Sequence, residues 1–209
     1  MADTRTKLLE AALETLKSQG MAGVSARTIA AAAGVNQALV FYHFGSVDQL
    51  LAAACEQGSR QRIALYRDRF ATVTTLRELL DLGRALHAEE RAEGSVAALA
   101  QLLAGSQTDD KLIPATTTGL NLWIAEVEQA LGRVLANSPL AEFVDVSGLA
   151  KATAAAFVGL ELYEGVDSEG ANQALDALEE LATLVAALED MGPVVRRAVR
   201  ARLRRRAHS

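Results

Sequence analysis

Proline, cysteine and aromatic side chains are all scarce: the 209 residues include three prolines, one cysteine and nine aromatics. Few prolines and few β-branched runs, set against abundant Ala and Leu, leave strong helix formers throughout, so the fold class expected is all-α. The lone Cys55 excludes an internal disulfide. Its setting beside Leu51, Ala52, Ala53 and Ala54 suits a small side chain buried in a helix, in a reducing compartment. The first residues, MADTRTKLLEAALETL, carry spaced charges and lack the apolar core of a signal peptide. No apolar run approaches the roughly 18 residues that cross a bilayer; the best, Ala152 to Leu160, ends at Glu161. A cytoplasmic protein with no membrane partner is expected. Gly-rich phosphate loops, clustered His or Cys, and a nucleophile beside a base are also missing, so neither an enzyme nor a cofactor is expected.

Half the residues are apolar, enough for one large domain or two smaller ones with real cores. The net charge of −5 argues at first against a nucleic-acid partner, but its distribution reverses that reading. Residues 1–50 are neutral, with Arg5, Lys7, Lys17 and Arg27 balancing Asp3, Glu10, Glu14 and Asp48. Residues 51–195 carry 10 basic and 22 acidic groups, whereas residues 196–209 hold seven Arg and no acid. Phosphate contacts are therefore expected from the N-terminal part or from the tail.

Apolar periodicity and cap residues divide the chain into helices. The first is expected from about Thr4 to Gln19, with Leu8, Leu9, Ala12, Leu13 and Leu16 on one face and Gly20 as its stop. Ser25 caps a second that ends at Gly34. Asn36 caps a third, Gln37 to Phe44, and Ser46 caps a fourth running from Val47 to about Phe70. Further helices are expected at about Leu76–Ala92, Val96–Gln107, Asp110–Asn137 (bent or restarted by Pro114), Gly148–Glu164 and Gly170–Met191. The domains expected are 1–47, 48–195 and an Arg-rich tail, 196–209.

Within Val24 to Leu51 the side chains suit a helix-turn-helix, whose second helix must stand proud of the surface to reach base edges in the major groove. Ala30 and Ala33 allow close helix crossing, Gly34 permits the turn, and Val35, Val40, Phe41 and Phe44 are expected in the core. Gln37, Ala38, Leu39, Tyr42 and His43 remain on or beside the exposed face. Gln can bond adenine, Ala and Leu can meet a thymine methyl, and Tyr and His can bond phosphate; Ser25 and Arg27 stand at the start of the preceding helix.

The run Leu8-Leu9-Glu10-Ala11-Ala12, then Gly20, Ser25, Ile29-Ala30, Ala33-Gly34-Val35 and Phe41-Tyr42-His43-Phe44-Gly45-Ser46 closely resembles the N-terminal DNA-binding domain of the TetR family of bacterial transcriptional regulators. The resemblance covers about fifty residues. It implies a homodimer on a palindromic double-stranded DNA operator, released by a small-molecule effector that binds an all-helical C-terminal ligand-binding and dimerisation domain. The DNA-contacting set is then Ser25, Arg27, Asn36, Gln37, Ala38, Leu39, Phe41, Tyr42 and His43. Two residues depart from the family pattern: Val47 replaces a usual Lys and Phe41 a usual Tyr, which removes two phosphate contacts and shifts weight to Tyr42, His43, Arg27 and Lys7.

For the larger domain, a bare stripe of Gly148, Ala152, Ala155, Ala156 and Gly159 and a leucine stripe of Leu175, Leu178, Leu181, Val185 and Leu188 imply close-packing partners. In the resembled family these helices form a four-helix bundle with their symmetry mates; packing within one subunit is the alternative. The effector pocket is expected among Tyr66, Leu86, His87, Leu102, Leu103, Leu120, Asn121 and Trp123. His87 and Glu90, at i and i+3, could begin a metal site, but with no third ligand or Cys nearby they read as a solvated or hydrogen-bonded pair, and no metal is expected. The tail reads either as a solvated end neutralising the acidic body or as an added phosphate contact. An enzyme is the main competing class and a structural or adaptor helical protein without DNA binding the second, and repression versus activation stays open.

Overall fold

The computed structural model describes residues 3–136, 138, 141 and 143–189. The expected Arg-rich tail, 196–209, lies outside them. Nine α-helices and one 3-10 turn account for the secondary structure among the described residues: α1 (Thr4–Gly23), α2 (Ala26–Ala33), α3 (Ala38–Phe44), α4 (Val47–Thr72), α5 (Leu76–Glu93), α6 (Ser95–Gly105), a 3-10 turn (Asp110–Leu112), α7 (Ile113–Leu135), α8 (Val146–Glu164) and α9 (Ser168–Glu189). No single one of these helices is long and apolar enough to cross a membrane.

Local chemistry sets the boundaries. Asp3 starts α1 by accepting a hydrogen bond from the Thr6 amide at 2.7 Å, which holds its carboxyl below the usual range. α1 loses helical backbone geometry at Gly20 (φ 67°), the stop expected there, and resumes for a few residues to Gly23. Pro114 falls in the first turn of α7, where its missing N–H costs nothing, so the segment restarts after the 3-10 turn rather than bending.

The described residues divide into two compact units, one within 3–66 and 89–123, the other within 67–88 and 124–189. In the first, Leu8, Leu9, Ala12 and Leu16 of α1, Ile29 and Ala30 of α2, Val40 and Phe44 of α3, and Leu50, Leu51, Ala54 and Cys55 of α4 form one core. Each fully buried leucine contributes about 1.5–3 kcal/mol. That core also takes in Ala98 and Leu102 of α6 and Leu112, so α6 packs on α1 as an integral part of the unit. Gln101 fastens the contact, its Oε1 accepting from the Met21 amide at 3.1 Å just past the α1 break. Burial pushes the Cys55 thiol up to about 12, the inert buried side chain expected.

In the second unit, α8 packs along α9. Arg84 of α5 reaches α9 with 2.8 Å to Asp176 and 3.0 Å to Glu179. Arg133 of α7 donates to the Phe70 carbonyl at 2.6 Å and so caps the end of α4.

Candidate nucleic-acid interface

α2 owes its position to a capping box. The Ser25 hydroxyl accepts from the Thr28 amide at 3.1 Å while the Thr28 hydroxyl accepts from the Ser25 amide at 2.9 Å. The helix ends at Gly34, whose φ of 65° lies in the left-handed region and lets its amide close back on the Ala30 and Ala31 carbonyls. Asn36 opens α3 by accepting from the Ala38 amide at 2.8 Å, and Ser46 opens α4 by accepting from the Gln49 amide at 3.1 Å. α3 and α4 meet at a bend of 66°.

Only seven residues long, α3 divides cleanly by burial. Val40 is fully buried and Phe44 is 8% exposed, one turn apart on the inward face. Tyr42 is 80% exposed and Phe41 49%. The expectation that Phe41 belongs to the core is therefore corrected: one position beyond Val40, it is rotated about 100° off the inward line. Gln37, Ala38, Asn36 and Arg27 are exposed as well, while Ser25, Leu39 and His43 are half-buried. All nine residues of the expected contact set lie in the first unit, and six of them are open to solvent. Val47, where a Lys would add charge, packs against the core instead.

Sequence reasoning missed Arg5 as part of this neighbourhood. Its guanidinium sits 5.1 Å over the Phe44 ring, placing a cation from α1 beside the end of α3. No local spacing links residues 5 and 44, so only the folded chain brings them together. Tyr42 and His43 meet edge to face at 5.0 Å, which steadies the exposed phenol.

The residues expected to line an effector pocket divide between the units. Tyr66, Leu102, Leu103, Leu120, Asn121 and Trp123 belong to the first, Leu86 and His87 to the second. Tyr66 and Trp123 come together, ring centroids 6.0 Å apart. Leu102 is spent in the core against α1, and Asn121 is exposed. Around Tyr66 lies a polar cluster the sequence did not announce: Arg62 donates to buried Glu90 at 2.7 Å and to the Tyr66 hydroxyl at 2.6 Å. Burial, followed by the hydrogen bond and charge of Glu90, raises the Tyr66 phenol well above its ordinary value. Burial opposes the Arg62 charge, but Glu90 outweighs it and raises that group too. Glu90 is thus a partner of Arg62. In the second unit an open groove of about 660 Å³, lined by Arg77, Leu80, Asp176, Glu179 and Thr183 among others, includes none of the eight expected residues.

Residues 8–54 match the family model of bacterial regulatory proteins, tetR family. The chain is 26% identical over 128 residues to uncharacterised HTH-type transcriptional regulators of Mycobacterium bovis and Mycobacterium tuberculosis, covering 61% of this chain and 66% of each relative. Its fold is similar to that of solved structures. One, from Rhodococcus sp. and described as a TetR-family regulator, superposes with a TM-score of 0.71 at 23% identity, over 88% of this chain and 99% of that one. The fatty acid degradation regulator FadR from Bacillus halodurans gives 0.67 at 14% identity, over 85% and 96%. The multidrug binding protein EbrR, complexed with proflavin, gives 0.60 at 22% identity, over 88% and 99%.

Proposed function

We propose that this chain, whose residues 8–54 match the family model of bacterial regulatory proteins, tetR family, is a ligand-responsive repressor that binds a palindromic DNA operator as a homodimer. The family is one of DNA-binding transcriptional regulators rather than enzymes. The observation that carries the reading is the division of α3: Val40 and Phe44 hold it to the core while Gln37, Ala38, Phe41 and Tyr42 stand exposed along it. A helix held in this way offers a donor and acceptor, a methyl and two aromatic edges to a major groove about 12 Å wide. Arg27 and Tyr42, with Lys7 and Arg5 from α1, supply the contacts to phosphate. Residues 1–47 are the reading part, and residues 48–195 carry effector binding and dimerisation.

Dimerisation is supported by the second unit's surface. Ala152, Ala155, Ala156 and Gly159 of α8 are exposed, and α9 leaves Leu178, Leu181 and Leu184 open at 43%, 58% and 62%. Apolar side chains on two neighbouring helices favour a second copy related by a two-fold axis, which sets two recognition helices about 34–36 Å apart on half-sites one turn apart. The effector acts by binding one arrangement of the helical body better than another. The α6–α1 contact through Gln101 and Met21 gives a shift of α6 a direct hold on the DNA-reading helices. The solved complex of EbrR with proflavin supports a small organic effector for this fold. Such a regulator works in the cytoplasm.

Affinity capture of fragmented genomic DNA by the purified full chain, followed by sequencing, tests the reading. Enrichment of one palindromic sequence is expected. Absence of any enriched sequence at low salt would instead favour a helical adaptor.

A further inference from the structure

His87 of α5 pairs across to another helix. It turns from α5 toward α8, where Glu161 and Glu164 stand at i and i+3. Its Nδ1 lies 3.3 Å from Glu161 Oε2, and its Nε2 contacts Glu164 Oε2. His87 is buried and the two glutamates largely so, with side chains 8% exposed for His87, 8% for Glu161 and 14% for Glu164, and one ligand atom from each lies within 4.8 Å of the others. The Phe157 ring meets the imidazole edge to face at 5.7 Å and walls one side. Glu161 Oε2 is fully buried and accepts no hydrogen bond.

Placing two carboxylates there is costly on two counts. Burial penalises each charge, and both carboxylates occupy the last turn of α8, where the helix dipole is already negative. A bound cation removes both penalties. An ion with ligands at about 2.0–2.2 Å holds neighbouring donor atoms roughly 3.3 Å apart, so binding requires Glu161 and Glu164 to converge on one of the two imidazole nitrogens that they face separately without an ion. One imidazole and two carboxylates without a thiolate suit a divalent first-row ion such as Zn²⁺, Co²⁺ or Mn²⁺, and leave a coordination position for water or a ligand.

We propose that His87, Glu161 and Glu164 form a binding site for a divalent transition-metal ion that ties α5 to α8. The site stands apart from DNA reading, so its failure would leave the proposed function intact. The test is competition for Zn²⁺ between the full chain and a chromophoric chelator, with the same measurement on Glu161→Gln and His87→Gln, each checked for helicity by circular dichroism. One ion per chain is expected, with affinity reduced at least tenfold in both variants. No binding by the wild type at micromolar Zn²⁺, or unchanged binding in folded variants, overturns the site. Should either variant fail to fold, Co²⁺ added to the wild type decides the matter. Visible ligand-field absorption with a single imidazole in the X-ray absorption shell supports the site; no such absorption, or two imidazoles, which would implicate His43 or His208, overturns it.

Discussion

Tyr42 has little to do with holding the protein together. At 80% exposure it contributes almost no buried area, and its ring packs edge to face on the neighbouring His43. Arg27 is likewise exposed on α2. Replacing either with Ala is expected to leave the thermal midpoint within the small range usual for surface substitutions, about 0.5 kcal/mol, while operator binding falls at least tenfold. Fluorescence anisotropy on a captured operator, run beside circular dichroism melts, checks both halves. Unchanged affinity in Tyr42→Ala and Arg27→Ala would remove them from the contact set. At this scale the sequence was legible wherever a residue's role is local. Val40 and Phe44 share a face by spacing alone, whereas the exposure of Phe41 depends on how little of a seven-residue helix its neighbours cover. Arg5 over Phe44, and His87 facing Glu161 from 74 positions away, are products of tertiary packing that no spacing rule encodes.

Among the elements, α2 depends most on a single side chain. Eight residues are too few for a helix to be stable by propensity, and its first-turn amides rely on the Ser25–Thr28 capping box. Ser25→Ala is expected to lower global stability by about 1 kcal/mol in urea unfolding, and Ser25→Asp, which keeps a capping acceptor, to recover most of it. A loss below a few tenths of a kcal/mol would show that core packing, not the cap, fixes α2. Element boundaries were readable because caps and glycines are local signals. Gly20, Ser25, Gly34 and Ser46 all stand where the backbone needs them. The tie of α6 to α1 was not readable, because Gln101 is an ordinary polar residue until Met21 N presents itself 80 positions away.

For the whole molecule, the proposed DNA reading and self-association are one problem, because on that reading a single three-helix domain contacts one half-site and gains only part of the affinity. Losing the phosphate contact that a Lys at position 47 would make sharpens that dependence, since Val47 packs inward and residues 51–195 carry 22 acidic groups against 10 basic ones. The leucines left open on α9 are the place to separate the two functions. Leu181 is 58% exposed within one subunit, so a charge there costs the isolated fold little, whereas at a two-fold face the same charge meets its symmetry mate and is desolvated beside it. Leu181→Glu is therefore expected to convert a dimer into a folded monomer at micromolar concentration, seen by light scattering as a halved mass with unchanged helicity. Affinity for a full palindrome should then fall at least a hundredfold toward that for a single half-site, because the second contact is no longer made at the high effective concentration that linkage provides. A wild type that is already monomeric, or a Leu181→Glu variant that remains dimeric and binds as before, would place the self-association surface elsewhere than on α9.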